Sequence, residues 1–386
     1  MTSTAALALA TVQAVGVLVG LVFTVYMLAG LLGSLFYSTE KADERAENAR
    51  IVITTVASER VAPALRETIE QTLETFEDYE VYCLLDEGSD LEAELTAWDG
   101  LRTVVVPDDY ECTAIAKGRA INYYIETVVS REPSYWYAFI DDDNRVLDDT
   151  FLYEIPHYEA RGYRATNPVL DPRPGRSMLT FLADQIRYVD DIAIYRLFTG
   201  ILGRPYLGFH GELLCVRGDV LADIGFDRQS IVEDFAFALE LVEAEVPVWQ
   251  SETRISVLSP HDVTAFLKQR ARWYVGVLAY LPKAPMLSRL VVGTRIVTWS
   301  VAVTSSWVFM PVWVLGYGVD APPVLLAAMI VGTLIYVGTI ARGARQIGGV
   351  RGISYLLLTP ICALIEHLVP LYALATRQRD FVVIEK

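Results

Sequence analysis

Residues Tyr135-Trp136-Tyr137-Ala138-Phe139-Ile140 form an unbroken apolar run that ends in three carboxylates, Asp141-Asp142-Asp143. Such a run, preceded by Pro133 and followed by acids, predicts a strand covered on both faces, as in a parallel sheet. Side chains two apart on a strand point the same way, so Asp141 and Asp143 are expected to face one cation while Asp142 points elsewhere. Paired carboxylates at a strand's carboxyl end suit Mg²⁺ or Mn²⁺ holding a diphosphate, because hard cations take oxygen ligands and keep positions open for phosphate. The competing reading is a solvated acidic turn, in a chain that carries 48 acidic residues.

The chain of 386 residues is 53% hydrophobic, and its mean hydropathy of +0.33 is high for a soluble protein. Membrane segments account for this. A net charge of −16 leaves the polar remainder strongly acidic, which argues against a nucleic-acid partner, since phosphate binding needs Lys and Arg surfaces. It also suggests a source rich in salt, where a charged surface stays screened. Cys83, Cys112, Cys215 and Cys362 show no CxxC spacing, so neither a zinc knuckle nor a disulfide framework is indicated.

Residues 5–37 are free of charge, and about 20 apolar residues already cross a bilayer. This reads as an anchor. A cleaved signal peptide is the alternative, but the segment lacks a basic start and is too long. From residue 50 to 262 short apolar runs alternate with amphipathic stretches: strands at 51–53, 81–85 and 102–106, helices at 62–76 and 113–129, then the acidic strand. Strands separated by helices imply right-handed crossovers and an α/β, doubly wound, mostly parallel sheet, whose ligands lie at the strands' carboxyl ends.

That rule singles out Asp86, directly after the second strand, beside the Asp141 cluster. Lys117, near a helix start, adds a cation that can meet a phosphate. Each has a plain alternative, Asp86 as a turn residue and Lys117 as a solvated helix lysine. The stretch 180–207 is amphipathic and lies on the membrane surface or against the sheet. In Gly208-Phe209-His210-Gly211-Glu212 the flanking glycines let backbone approach a ligand, with His210 a binding or a structural histidine. Glu233-Asp234 opens an apolar helix, either to offset its dipole or to supply Asp234 as a general base. In Gln269-Arg270-Ala271-Arg272-Trp273, on a helix over 263–281, helical spacing puts Gln269, Arg272 and Trp273 on one face. Arginine suits diphosphate oxygens and Trp273 offers a flat face to a sugar; a basic helix on lipid headgroups is the other reading.

After a helix expected at the interface over 263–285, the chain returns to the membrane, with spans expected at 291–316 and 323–340. The following loop carries Arg342, Arg345 and Arg351 and reads as cytoplasmic, which puts the catalytic segment on the same side. The stretch 353–375 contains Pro360, Glu366, His367 and Pro370, and an acid within a membrane segment usually faces a cavity or partner. An interfacial or re-entrant element is expected there, with a fourth crossing as the alternative.

Taken in order, Asp86, Asp141-Asp142-Asp143, Glu233-Asp234 and Gln269-Arg270-Ala271-Arg272-Trp273 resemble the membrane-bound family 2 glycosyltransferases, which have a GT-A fold beside the membrane and include cellulose, chitin and hyaluronan synthases. The resemblance covers about 51–273. Gly208–Glu212 with Ile224-Gly225-Phe226-Asp227 and Ser230–Asp234 looks most like egghead-type β-1,4-mannosyltransferases, which extend a glycolipid from GDP-mannose. It implies that Asp86 contacts the donor nucleotide, that Asp141 and Asp143 serve diphosphate and metal, and that Asp234 is the base. It also implies that Arg270, Arg272 and Trp273 hold the diphosphate and border the acceptor, and Lys117, His210, Glu233 and Gln269 are further candidates for substrate binding. The implied partners are a GDP- or UDP-sugar donor, a lipid-linked or glycan acceptor, and membrane lipids. The loop Thr54–Glu59 departs from the family's Pro-x-x-Asn-Glu pattern, so the base of the nucleotide is not assigned. A processive polysaccharide synthase and a non-catalytic sugar-nucleotide sensor are the rival readings. The terminal Phe381–Lys386 looks loosely like the cytoplasmic gating segment of cellulose synthases.

Overall fold

The computed structural model describes residues 3–304, 315 and 322–376. Its strands are β1 (Ala49–Thr54), β2 (Glu80–Asp86), β3 (Leu101–Val106), β4 (Trp136–Asp141), β5 (Asn144–Val146), β6 (Ala165–Arg173), β7 (Leu213–Arg217) and β8 (Val248–Leu258). They form one sheet in the order β3-β2-β1-β4-β7-β6-β8-β5. Strands β3, β2, β1 and β4 pair in parallel, which is the doubly wound half. Beyond β4 the sheet is mixed: β7 runs antiparallel to both its neighbours, and β5 pairs antiparallel with β8.

The apolar runs form strands because both faces of the sheet are covered. Ile51, Ile53, Trp136, Ala138 and Ile140 join one core with Leu65 and Ile69 of the helix Ala62–Thr75. Val52, Tyr137 and Phe139, at the alternate positions, join another with Ile121 and Tyr124 of the helix Lys117–Thr127. Period-two alternation therefore sends each strand's residues into two separate apolar layers.

The helix expected over 113–129 begins only at Lys117. Asp227 accounts for the late start, since its Oδ1 accepts from the amide and hydroxyl of Thr113 and from the amide of Ala114, holding this segment as a loop. Ala116 then turns the chain at φ 50, a left-handed conformation rare for a residue with a side chain.

Among the described residues, three helices are long and apolar enough to cross a membrane: Ala10–Ser34, Pro323–Ile347 and Gly349–Thr376. The last is the stretch expected to be interfacial, and its length fits the alternative reading of a crossing. Of the span expected at 291–316, the described part is helical within Met286–Thr304 and the remainder lies outside the described residues, as does Phe381–Lys386.

The amphipathic stretch 180–207 folds as Met178–Asp184, Ile186–Asp190 and a π-helical turn series Asp191–Ile201. It packs between the N-terminal helix and strands β6 and β8. Gly30 and Gly33 permit this approach, because a Cβ on Gly30 would lie 2.5 Å from Ile194 Cδ1. The sheet is also fastened to the helix Pro323–Ile347, where Arg342 donates to Asp171 on β6 at 2.7 Å and stacks on Tyr188. The arginine-bearing end of that helix is thus the end that contacts the sheet.

Candidate active site

Strand β1 lies between β2 and β4, and Thr54 at its end pairs in register with Leu84 of β2 and Asp141 of β4. All three carboxyl ends share one edge at the point where strand order reverses, the place where open α/β sheets bind ligands. A cavity of about 410 Å³ opens there. Asp86, Lys117, Asp141, Asp142, Asp143, His210, Glu233, Asp234, Gln269, Arg270, Arg272 and Trp273 all line it, so the candidate substrate and metal residues come to one place.

The route by which Asp143 arrives differs from strand alternation. Strand β4 ends at Asp141, and Asp142 and Asp143 occupy a turn before β5. Asp142 Oδ2 accepts from the Thr55 hydroxyl at 2.7 Å, which ties the turn to the loop after β1. That loop holds a second non-glycine residue at positive φ, Ala57 at 44. Backbone at positive φ thus occurs at Ala116, which lines the cavity, and at Ala57, next to the lining residue Val56; strain of this kind is found at ligand sites.

Lys117 Nζ donates to Asp141 Oδ1 at 2.5 Å and to the Gly211 carbonyl at 2.8 Å, and lies 4.0 Å from Glu233 Oε1. Burial opposes its charge, but Asp141, Glu233 and Asp234 together hold it above the ordinary lysine value. Asp234 Oδ2 accepts from the Gly211 amide at 3.0 Å, and its Oδ1 from its neighbour's amide, Phe235, at 2.7 Å. Burial, then the charge of Glu233, pushes Asp234 up to about 7, with Lys117 pulling the other way. A carboxylate poised there changes hands with a proton near neutral pH.

Asp86 is held by Arg119, whose guanidinium also reaches the Pro107 carbonyl. His210 Nε2 lies 2.5 Å from Asp191 Oδ1, its amide donates to Asn167 Oδ1, and its ring lies 4.6 Å from that of Tyr195. Burial disfavours the imidazolium, but Asp191 outweighs it and raises the His210 pKa.

On the helix Val263–Tyr280, Arg270 is 3% exposed and pairs with Asp184, which also accepts from Ser259. Its guanidinium sits 4.3 Å from the Trp273 ring centroid, with that of Arg187 at 5.0 Å. Arg187 in turn pairs with Glu212. Trp273 is therefore positioned by two cations, each fixed by its own carboxylate.

Among the described residues, no group of three or more His, Cys, Asp or Glu side chains is arranged to hold a metal ion. A cation bound together with a diphosphate needs only one or two carboxylates beside the phosphate oxygens. Asp141 and Asp143 match that donor type. Burial raises the Asp141 pKa, Lys117 opposes this, and the nearby charges of Glu212 and Asp143 add to the rise. An added cation would relieve that repulsion.

The sequence reading did not assign a site role to Arg187, Asp190, Glu212, Arg295, Trp299 or Tyr336, all of which line the cavity. Arg295, a cation within an apolar stretch, carried the same signal that marked Glu366.

The sequence model described as "Glycosyl transferase family group 2" matches residues 136–341. The protein named beta-1,4-mannosyltransferase egh of Drosophila melanogaster is 24% identical over 332 residues, 78% of this chain and 70% of that protein. Beta-1,4-mannosyltransferase bre-3 of Caenorhabditis elegans is 24% identical over 221 residues, 54% of this chain, and is matched over about half its length, 49%. The solved structure of mannosyltransferase PcManGT from Pyrobaculum calidifontis, in complex with GDP-Man and Mn²⁺, superposes with a TM-score of 0.55. At 12% identity, over 95% of this chain and 97% of that one, the likeness is of fold.

Proposed function

The chain belongs to glycosyl transferase family group 2, and from that membership we propose that it transfers a hexose from GDP-mannose or a UDP-sugar to a hydroxyl of a lipid-linked or glycan acceptor, with inversion. The observation that carries the reading is Asp234: a buried carboxylate, oriented by the Gly211 amide and raised to about 7, on the same cavity as the strand-end acids Asp86 and Asp141.

Asp234 removes the proton of the acceptor hydroxyl. The acceptor oxygen forms its bond to the anomeric carbon from the face opposite the leaving group, and the bond from that carbon to the diphosphate oxygen breaks. The nucleoside diphosphate departs with that electron pair, so an α-linked donor yields a β-linked product. Asp86 contacts the nucleotide, Arg272 borders the diphosphate, and Trp273 supplies a flat wall to the acceptor. Asp141 and Asp143 are the residues that would hold Mg²⁺ or Mn²⁺, which when bound supplies positive charge against the leaving diphosphate. Lys117 limits repulsion within the acidic cluster whatever else is bound.

The three long apolar helices among the described residues support a place at the membrane. We place the catalytic unit on the cytoplasmic side, an orientation supported by Arg342 and Arg345 at the helix end that touches the sheet and by Arg351 just beyond it. The test is turnover of a labelled panel of UDP- and GDP-sugars by detergent-purified protein with Mn²⁺ and lipid extract, with and without chelator. A short labelled glycolipid from one donor, lost on chelation, is the expected result. A long ladder of products would replace single transfer with polymer synthesis, and nucleotide binding without turnover of any donor would overturn the enzyme reading.

A further inference from the structure

The turn that delivers Asp143 is held in place from outside. Strand β5, which follows it, is three residues long, lies at the edge of the sheet and pairs only with β8. Asn144, next after Asp143, is 1% exposed, and among the described residues neither its Nδ2 nor its Oδ1 has a hydrogen-bond partner. A buried amide left idle in this way does nothing to fix the turn, so the position of the turn is set by contacts from other elements.

Those contacts come one to a residue. Asp142 Oδ2 accepts from the Thr55 hydroxyl, beyond β1, and the Asn144 carbonyl accepts from the Thr68 hydroxyl of the helix Ala62–Thr75 at 3.0 Å. Between them, the Asp143 carbonyl accepts from Nη2 of Arg173 at 2.8 Å. Arg173 ends β6 and is not one of the residues lining the cavity. Its Nη1 donates to the Ser256 carbonyl of β8 at 2.8 Å, and its own carbonyl accepts from the Ser259 amide at 3.1 Å. The base of this side chain is rigid, because β6 and β8 stay in register from Val169 opposite Arg254 to Arg173 opposite Leu258.

The geometry favours arginine. The two carbonyls belong to different segments, and a planar guanidinium meets both at once with donors whose separation and direction are fixed. A lysine would keep the charge and lose that fork. A charged donor also binds a carbonyl more strongly than either hydroxyl does, so Arg173 is the firmest of the three ties.

We propose that Arg173 is a positioning residue for the divalent-cation site. By holding the Asp143 main chain against β8, it fixes where the Asp143 carboxylate stands relative to Asp141, and so sets the affinity for the cation that accompanies the nucleoside diphosphate. The proposal rests on the reading of Asp141 and Asp143 as cation ligands. Arg173 works through the Asp143 backbone from outside the cavity and has no part in the displacement itself.

The test uses the full chain in detergent. Mn²⁺ binding is read by electron paramagnetic resonance with saturating GDP or UDP, and thermal unfolding is read alongside. Arg173→Met should raise the Mn²⁺ Kd by about 10- to 100-fold at temperatures where the variant is folded, the usual result of removing a group that orients a metal ligand. Arg173→Lys should also bind Mn²⁺ more weakly than the parent, and it carries the test if the Met variant does not fold. Arg342→Met is the comparison: it releases another arginine from β6, at Asp171, and should lower the unfolding temperature without changing the Mn²⁺ Kd. Parent-like Mn²⁺ affinity in the folded Arg173 variants would overturn the proposal and leave Asp141 and Asp143 as ligands. Full affinity in Arg173→Lys alone would overturn the role of the fork. An equal loss in Arg342→Met would reduce Arg173 to general support of the sheet. A parent that binds no Mn²⁺ with either nucleotide would overturn the ligand reading itself, and this proposal with it.

Discussion

The Lys117 ammonium donates to Asp141 Oδ1 at 2.5 Å, and its charge opposes the rise in pKa that burial imposes on both Asp141 and Asp234. One side chain thus links the acids at the end of β4 to the acid at the start of the helix Glu233–Glu243. Replacing Lys117 by Met keeps its length and removes its charge. Both carboxyls then hold their protons to higher pH. As the proposed base, Asp234 would work deprotonated, so the acid limb of the pH–rate profile should move upward, with turnover at neutral pH falling roughly tenfold and partly recovering in alkali. An unmoved limb would show that Lys117 does not set the charge of the base.

Asp234→Asn keeps the shape and the Gly211 contact but cannot take a proton. Transfer should fall by about 10²–10⁴-fold, the usual contribution of a general base, while nucleotide affinity stays near that of the parent. In the parent protein the sign follows from the raised value: below about 7 the carboxyl is protonated and idle, so kcat/KM should climb as pH rises through that point. If nucleotide binding is lost together with activity in the Asn variant, Asp234 is a donor-binding residue and the base lies elsewhere.

Arg270 is buried against Asp184, with 3% and 0% exposure respectively. Removing one partner of a buried pair strands the other charge, at a cost of about 3–5 kcal/mol, whereas replacing both by apolar residues costs far less. Arg270→Ala should therefore lower the unfolding temperature sharply, and the double change Arg270→Met with Asp184→Leu should restore much of it. Should Arg270→Ala keep its thermal stability and lose only nucleotide affinity, the guanidinium serves the diphosphate and not the scaffold.

These outcomes depend on contacts that were legible to different degrees beforehand. Strands β1, β2 and β4 were readable because both their faces are apolar, and the rule that ligands gather at carboxyl ends then located Asp86 and Asp141. Asp143 was found by a pattern that does not apply to it, since β4 stops one residue after Ile140 and a turn completes the delivery. The antiparallel half of the sheet carries its register in pairings such as Ala138 with Cys215, far apart in sequence, which no local periodicity displays. The partners of the named residues were likewise out of reach: Asp184 beneath Arg270, Glu212 beside Arg187, Asp191 behind His210. Each arises where separate elements meet, on the 178–201 segment that reads in sequence only as amphipathic.

One of those meetings can be tested at a glycine. A Cβ on Gly276 would lie 2.7 and 2.8 Å from the two Cγ atoms of Val232, two residues before Asp234. Val232 is 4% exposed and, being β-branched, has little rotamer freedom with which to yield. Gly276 is thus what lets the helix of Arg270 and Trp273 seat against the approach to the base. Gly276→Ala should cost about 1–3 kcal/mol through overpacking. It should also lower kcat by more than its stability loss explains, because the displaced segment carries Asp234 away from the Gly211 amide. Gly338→Ala provides the comparison, since nothing lies within 4 Å of its added methyl, and a helix interior gains about 0.5–1 kcal/mol from the same change. Thermal unfolding and single-turnover rates of the two variants separate the effects. Equal behaviour at the two positions would mean that the seating of these helices does not govern the base.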